Sequence, residues 1–410
     1  MSGFVAMHAA GFPGWVAWDG AGISSGFERK ESLMATVLSP GGESGRTVLA
    51  VRFGENEDQQ DRLPELLELA RSLESVEAMS RAVAEVTAIQ SAGLGRAVSE
   101  ILTMAEDLRR AGQPLEIAGR AAGASVFHLA GLTALDPCEH GFLAETFLDI
   151  PEEAPNALPP GELKKSWPVF GVRLTTGLDD FMIYLRRQGY SFRMRRVGIQ
   201  TPCDKIVAGR RHPYGDRITP TLFVAAGSDL PAAGALRREE MSACLSDTQT
   251  FQLLASGDTT GLGQLEDDDV RDDLRQKKPR SLEALAAILV RSSLSVDLLG
   301  AEAVYEEDRM LELRSVLGIG LTDARRLLQS IGRWDGTADQ HRTWFIETVG
   351  GRGMPPADAT DRWRHLRDEA QRTRSRSAMF ERAYRCLKAA YLKAHYPEEF
   401  AAVASARADR

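Results

Sequence analysis

The sequence predicts an α+β protein that is mostly α, and three observations carry that expectation. From about residue 60 to 112, apolar residues recur at helical spacing, as in Leu63-Pro64-Glu65-Leu66-Leu67-Glu68-Leu69-Ala70 and Ile101-Leu102-Thr103-Met104-Ala105. From about 243 to 405 the pattern is almost entirely helical, with one polar Gly/Pro break at Gly350-Gly351-Arg352-Gly353-Met354-Pro355-Pro356. Between them, residues 113 to about 240 mix helical and strand-like runs.

The elements follow in order. Residues 1 to about 55 are Gly-rich with short β-like runs such as Thr47-Val48-Leu49-Ala50-Val51-Arg52-Phe53. A turn entering a helix is expected around Ile117-Ala118-Gly119-Arg120-Ala121-Ala122-Gly123-Ala124. Asn156 to Gly161, with Pro151, Pro155, Pro159 and Pro160 around it, reads as a connector. The run Pro168-Val169-Phe170-Gly171-Val172-Arg173-Leu174 reads as a strand, and Asp179-Asp180 as the acidic start of the next helix. No internal repeat is present.

Composition narrows the function classes. At 410 residues the chain has room for two or three domains, and 43% apolar with 26% charged residues is the balance of a globular protein. No run of about 18 apolar residues is present, so no membrane span is expected. Met1-Ser2-Gly3-Phe4 opens no basic segment followed by an apolar core, so no signal peptide is expected and a cytoplasmic location is. Cys138, Cys203, Cys244 and Cys386 form no C-x-x-C and read as reduced thiols rather than a metal site. The net charge of −8 argues against strong autonomous binding to nucleic acid, which phosphate neutralisation drives.

Several motifs, in one order, resemble the catalytic subunit of bacterial replicative DNA polymerase (polymerase III α, family C), over about residues 100 to 402. Ala121-Ala122-Gly123, Gly131 to Pro137 and Gly141 to Leu148 resemble the family's G-R-G-S-A-A-G-S, G-I-T-D-L-D-P and G-L-L-F-E-R-F-L. His212-Pro213-Tyr214-Gly215 resembles H-P-A-G. Gly257-Asp258-Thr259-Thr260-Gly261-Leu262-Gly263-Gln264-Leu265-Glu266 resembles G-D-T-T-G-V-F-Q-L-E. Val304 to Met310 resembles L-Y-Q-E-Q-V-M, and Tyr391 to Phe400 is nearly identical to the end of the family's fingers domain. The resemblance implies a degenerate polymerase palm, a small nucleotidyltransferase-like sheet with helices, followed by a helical fingers domain. The domains expected are residues 1–95, of unknown role, a palm-like 96–242 and a fingers-like 243–410. Between Gln200 and His212 only eleven residues stand where the family carries its thumb, so the thumb is expected to be absent.

The departures from the family fall on its chemistry. Nucleotide transfer uses two metal ions held by carboxylates. The family's P-D-F-D-I-D-F places them where this chain has Val169, Gly171 and Arg173, so no catalytic residue and no metal site is expected there. A guanidinium is permanently charged and repels a divalent cation. Asp229 is the one candidate survivor, beside Pro231, which disfavours a central strand. The glycine-rich turn keeps Gly119, Arg120 and Gly123 in one register or another. These residues read either as a residual nucleotide-phosphate site or as a tight helix start. The basic stretch that faces the incoming nucleotide in the family has become Leu327 to Trp334.

Two basic stretches offer contact with DNA: Arg186, Arg187, Arg193, Arg195 and Arg196, interleaved with Tyr190 and Phe192, and a run that includes Arg374 and Arg376. Trp334, Trp344 and Trp363 read as core or as partner anchors. Three functions stand open. The first is a non-catalytic accessory protein of DNA replication or repair, including error-prone synthesis. It would act through replication or repair proteins and weak DNA contact, without a cofactor. The second is a minimal DNA polymerase whose Mg²⁺ is held by relocated ligands such as Asp179, Asp180 or Asp229. The third is a sensor of nucleotide or single-stranded DNA without turnover. The sequence does not fix the oligomeric state.

Overall fold

A computed structural model of the chain describes residues 46–52, 61–111, 115–159, 169–174, 178–190, 192–197, 221–225, 243–292, 304–333, 337–370, 372–398 and 400–401. It is mostly helical, with one five-stranded sheet and one two-stranded sheet.

The chain enters the sheet through β1 (Arg46–Arg52), whose Thr47, Val48 and Val51 are β-branched. Three helices follow: α1 (Leu63–Arg71), α2 (Val76–Ser91) and α3 (Gly95–Arg110). Ser75 caps α2 through its hydroxyl, which accepts the Ala78 N–H at 3.3 Å. The edge strand β2 (Leu115–Ala118) runs into a 3₁₀ turn, Gly119–Gly123, and the short helix α4 (Ser125–Leu129). Then come β3 (Val169–Leu174), α5 (Leu178–Arg187), β4 (Phe192–Val197) and β5 (Thr221–Ala225).

The strand order is β2-β3-β5-β1-β4. Among the described residues of this sheet only β3 and β5 are parallel; its other pairs are antiparallel. Strand β1 lies inside the sheet, between β5 and β4, so the segments before and after residue 95 share one sheet. They also share one core, in which Ile89, Ile101, Met104 and Leu108 pack with Phe127, Phe181 and Leu185.

The second half of the chain is helical, as expected. Helices α6 (Thr248–Ser256), α7 (Asp268–Lys277) and α8 (Leu282–Ser292) pack with the last helix, α13 (Arg376–His395), around Phe251, Leu265, Leu285, Leu289 and Leu387. Asp247 caps α6 by accepting the Thr250 N–H at 2.7 Å. A third core joins α9 (Glu306–Leu317), α10 (Leu321–Arg333), α11 (Thr337–Gly351) and α12 (Pro356–Ala370) around Leu317, Leu327, Phe345 and Trp363. Two short strands, β6 (Val304–Tyr305) and β7 (Thr373–Arg374), pair in parallel just before α9 and α13, bringing the two helix starts side by side.

Trp363 is buried against Phe345, with ring centroids 5.3 Å apart, and Trp344 is half-buried in the same core, so both serve packing. Trp334 lies outside the described residues. Cys244 and Cys386 are buried free thiols and Cys138 is exposed. Among the described residues no helix is long and apolar enough to cross a membrane.

Candidate nucleotide-binding turn

The positions where the resembled family carries its aspartates sit on β3, an interior strand. In register, Gly171 faces Ala118 of β2 and Phe223 of β5, and Arg173 faces Glu116 and Ala225. Val169 pairs with Thr221. Among the described residues no three His, Cys, Asp or Glu side chains converge as a metal-binding group. Asp229 lies outside the described residues, and Asp179 and Asp180 begin α5.

The 3₁₀ turn leaves β2 at the sheet edge and is overlaid by the start of α13. Gly119 has φ +67°, a left-handed conformation that favours glycine. Gly123 is glycine for a different reason: a Cβ there would lie 2.8 Å from the Ser377 Cβ and 3.3 Å from the Phe142 Cβ. Helix α13 therefore rests directly on the turn. Ser377 also donates its hydroxyl to the Arg120 carbonyl at 3.3 Å.

Arg120, the cation of the residual-phosphate reading, turns toward α9. Its Nη2 lies 2.6 Å from Oε2 of the buried Glu306. The start of α4 is likewise taken. The fully buried Glu85 of α2 accepts the Val126 N–H at 3.1 Å and is held by the Arg81 Nε at 3.1 Å. Arg81 in turn donates to the carbonyls of Phe142 at 2.6 Å, Gly123 at 2.8 Å and Pro137 at 3.3 Å. A protein carboxylate thus stands at the helix start that follows the turn. Burial pushes the Glu85 carboxyl up, against the pull of Arg81.

The start of α13 repeats the arrangement. Glu307 accepts the Arg376 N–H at 2.9 and 2.8 Å on its two oxygens and the Ser377 N–H at 3.5 Å. Burial, reinforced by the adjacent Glu306 carboxylate, pushes Glu307 up to about 7. Arg376 stacks over the Tyr305 ring at 4.8 Å and pairs with Asp308 at 2.6 Å. Arg374, on β7, donates to the Thr373 carbonyl at 2.9 Å; burial lowers its pKa, and the like charge of Arg382 adds to that.

The structure therefore gathers Gly119, Arg120, Gly123 and Arg376 around one cluster with Glu306 and Glu307. The other basic stretch is elsewhere. Arg186 and Arg187 are exposed in the last turn of α5, and Arg193, Arg195 and Arg196 lie on β4, the sheet edge opposite β2. Tyr190, read from sequence as a base-stacking ring, is half-buried against the first core, and burial raises its hydroxyl pKa. Its ring serves packing because the chain turns at Gly189 (φ +77°) back toward α3.

The motif Gly257 to Glu266 and the segment Tyr391 to Phe400 meet each other. Lys393 donates to Asp258 Oδ1 at 2.5 Å and to the Thr260 carbonyl at 2.9 Å, beside a shallow cleft of about 710 Å³. Their shared resemblance marks a packing contact between distant stretches.

No protein-family model matches the chain. DNA polymerase III subunit alpha of Aquifex aeolicus (strain VF5) is 28% identical over 39% of this chain and 16% of its own length. The chain is a distant relative of DNA polymerase III subunit alpha. The subunit of that name from Thermus aquaticus is 27% identical over 38% of this chain and 16% of its own length. The matched stretch thus spans about a sixth of each DNA polymerase III subunit alpha.

Sequence reasoning missed Glu85, Arg81, Glu306 and Glu307, the groups that fill the turn's surroundings. Their signal was weak: i, i+4 spacing between Arg81 and Glu85, and an acidic first turn in α9 that the helix dipole alone explains.

Proposed function

We propose that this chain is a non-catalytic relative of DNA polymerase III subunit alpha that serves DNA replication or repair through protein partners. In this reading residues 96–242 descend from a palm and 243–410 from fingers, and the protein works in the cytoplasm. One observation carries the proposal: the turn that resembles a nucleotide-phosphate loop is engaged by the protein's own groups. Glu85 takes the Val126 N–H, Glu306 takes the Arg120 guanidinium, and α13 seats Ser377 on Gly123. The replacement of three expected metal ligands by Val169, Gly171 and Arg173 supports the same reading.

The test is primer extension by the purified chain with Mg²⁺ or Mn²⁺, alongside calorimetric titration with a deoxynucleotide and primed template. Silence in both, together with recovery of a replication or repair protein in a pull-down, is the expected outcome. Metal-dependent incorporation of nucleotide overturns the proposal in favour of a minimal polymerase.

A further inference from the structure

Within the described residues, the connector that sequence reading leaves as a linker is bound to the helical half of the chain. Residues 149–158 run without regular secondary structure across the helical hairpin of α9, Gly318-Ile319-Gly320 and α10. Ile150 exchanges backbone bonds with the Thr322 hydroxyl at 3.1 and 3.0 Å. Asn156 donates its N–H to the Gly318 carbonyl at 3.0 Å and its amide to the Leu317 carbonyl at 2.6 Å. The Leu158 N–H reaches Asp323 at 3.1 Å.

Two strap carboxylates take cationic partners on the hairpin. One Asp149 oxygen holds Arg325, and the other holds Arg326 at 2.9 Å. One Glu152 oxygen holds Arg314, and the other accepts the Leu321 N–H at 3.0 Å. Arg352 lies against the same hairpin, donating to the Val316 carbonyl at 2.9 Å. Asp323, paired to Arg326 at 3.2 Å, and Glu306, whose charge acts on Arg325, are hairpin acids that face this group. Each strap carboxylate thus presents two oxygens to two donors, as a backbone phosphate does with guanidinium and N–H partners. Asp149, Glu152, Arg314 and Arg326 are all partly exposed, and ion pairs of that kind contribute little and exchange readily.

We propose that the strap is an internal mimic of a nucleic-acid strand, and that single-stranded DNA displaces it to bind the hairpin through Arg314, Arg325, Arg326 and Arg352. An extended acidic chain paired with three guanidiniums, with Arg352 beside the same hairpin, marks a face matched to an extended polyanion. Strap gating also reconciles this basic face with the net charge of −8. The proposal goes beyond the accessory function and takes from it only DNA as the polyanion.

The test is fluorescence anisotropy with labelled oligothymidylate between about 50 and 200 mM salt. Asp149→Asn/Glu152→Gln is expected to bind about tenfold tighter than the unmodified chain, with a steeper salt dependence. The charge-matched control Glu139→Gln/Glu153→Gln is expected to bind as the unmodified chain does; neither carboxylate makes an ion pair among the described residues. Adding Arg325→Gln/Arg326→Gln should reverse the gain. Hydrogen exchange on the unmodified chain reads the same event without a variant. Saturating oligothymidylate should deprotect the amides of Asn156 and Leu158. Equal affinity in the folded strap variant, an equal gain in the control, a gain for duplex alone, or unchanged amide protection overturns the proposal. The assay contains no partner protein and no nucleotide transfer, so its failure is distinguishable from failure of the accessory function.

Discussion

Lys388 holds Glu116 across the junction of the last helix and the edge strand, with Nζ 2.6 and 2.7 Å from the two carboxylate oxygens. Lys388 is buried and sits 4.9 Å from the Tyr384 ring centre. Glu116 is the register partner of Arg173, the position where the resembled family has a metal-binding aspartate. The carboxylate at that register position is thus taken by a cation that the chain itself supplies.

Removing one partner of this pair should cost far more than removing both. Lys388→Met leaves Glu116 against an apolar contact and is expected to destabilise the fold by about 3 kcal/mol, less than the most buried pairs because Glu116 keeps some solvent. Lys388→Met/Glu116→Gln should recover at least half of that. Urea midpoints on both variants check it, and equal losses would show the pair to be energetically idle.

Gly123 and Gly119 separate packing from backbone freedom. Gly123→Ala pushes a methyl onto Ser377 and is expected to cost about 1–3 kcal/mol by overpacking. Ser377→Gly in the same chain should restore most of it, since the clash is with the Ser377 Cβ. Gly119→Ala meets open space and carries only the left-handed penalty of about 1 kcal/mol, which Ser377→Gly cannot relieve. Thermal midpoints of the four variants decide this. Rescue of neither variant would remove the α13 contact as the reason for Gly123.

Metal addition gives a further check. A ligand that binds only the folded state stabilises it by RT ln(1 + L/Kd), L being its free concentration, and so raises the unfolding midpoint. With Gly171 and Arg173 at the expected ligand positions, Mg²⁺ or Mn²⁺ should leave the midpoint unmoved at matched ionic strength. A saturable rise would point to relocated ligands.

Part of this architecture was legible in periodicity, because helices such as α1, α3 and α10 bury one apolar face each and so repeat at helical spacing. What pairing adds was not legible. Nothing local in Thr47 to Phe53 says that β1 lies between β5 and β4, since strand order is a property of distant segments. Proline-rich residues 151–160 gave the signature of a loose linker. Backbone amides and two carboxylates fix residues 149–158 on the hairpin, and those contacts have no sequence period. Glycine was ambiguous for the same reason: Gly123 reads alike whether a phosphate or Ser377 approaches it.

Glu307 should make stability fall as pH rises from 4.5 to about 7. Its carboxyl is buried beside Glu306, which Arg120 neutralises, while Glu307 itself meets the α13 amides and, one residue on, Arg376 paired with Asp308. The Tyr305 hydroxyl nearby is pushed up to about 12 and stays neutral throughout. The folded-state pKa of Glu307 is about 7 against an ordinary 4.5, so the folded chain holds this proton more tightly than the unfolded chain. Its contribution is therefore fully present below pH 4.5, declines as pH rises toward 7, and is lost above it. Glu307→Gln removes the titration while keeping a hydrogen-bonding side chain at the start of α13. The difference in unfolding free energy between the unmodified chain and this variant should slope across that window and be flat above about pH 8. Urea melts at unit pH intervals measure it. A flat difference throughout would mean that the α13 amides hold Glu307 ionised despite its burial.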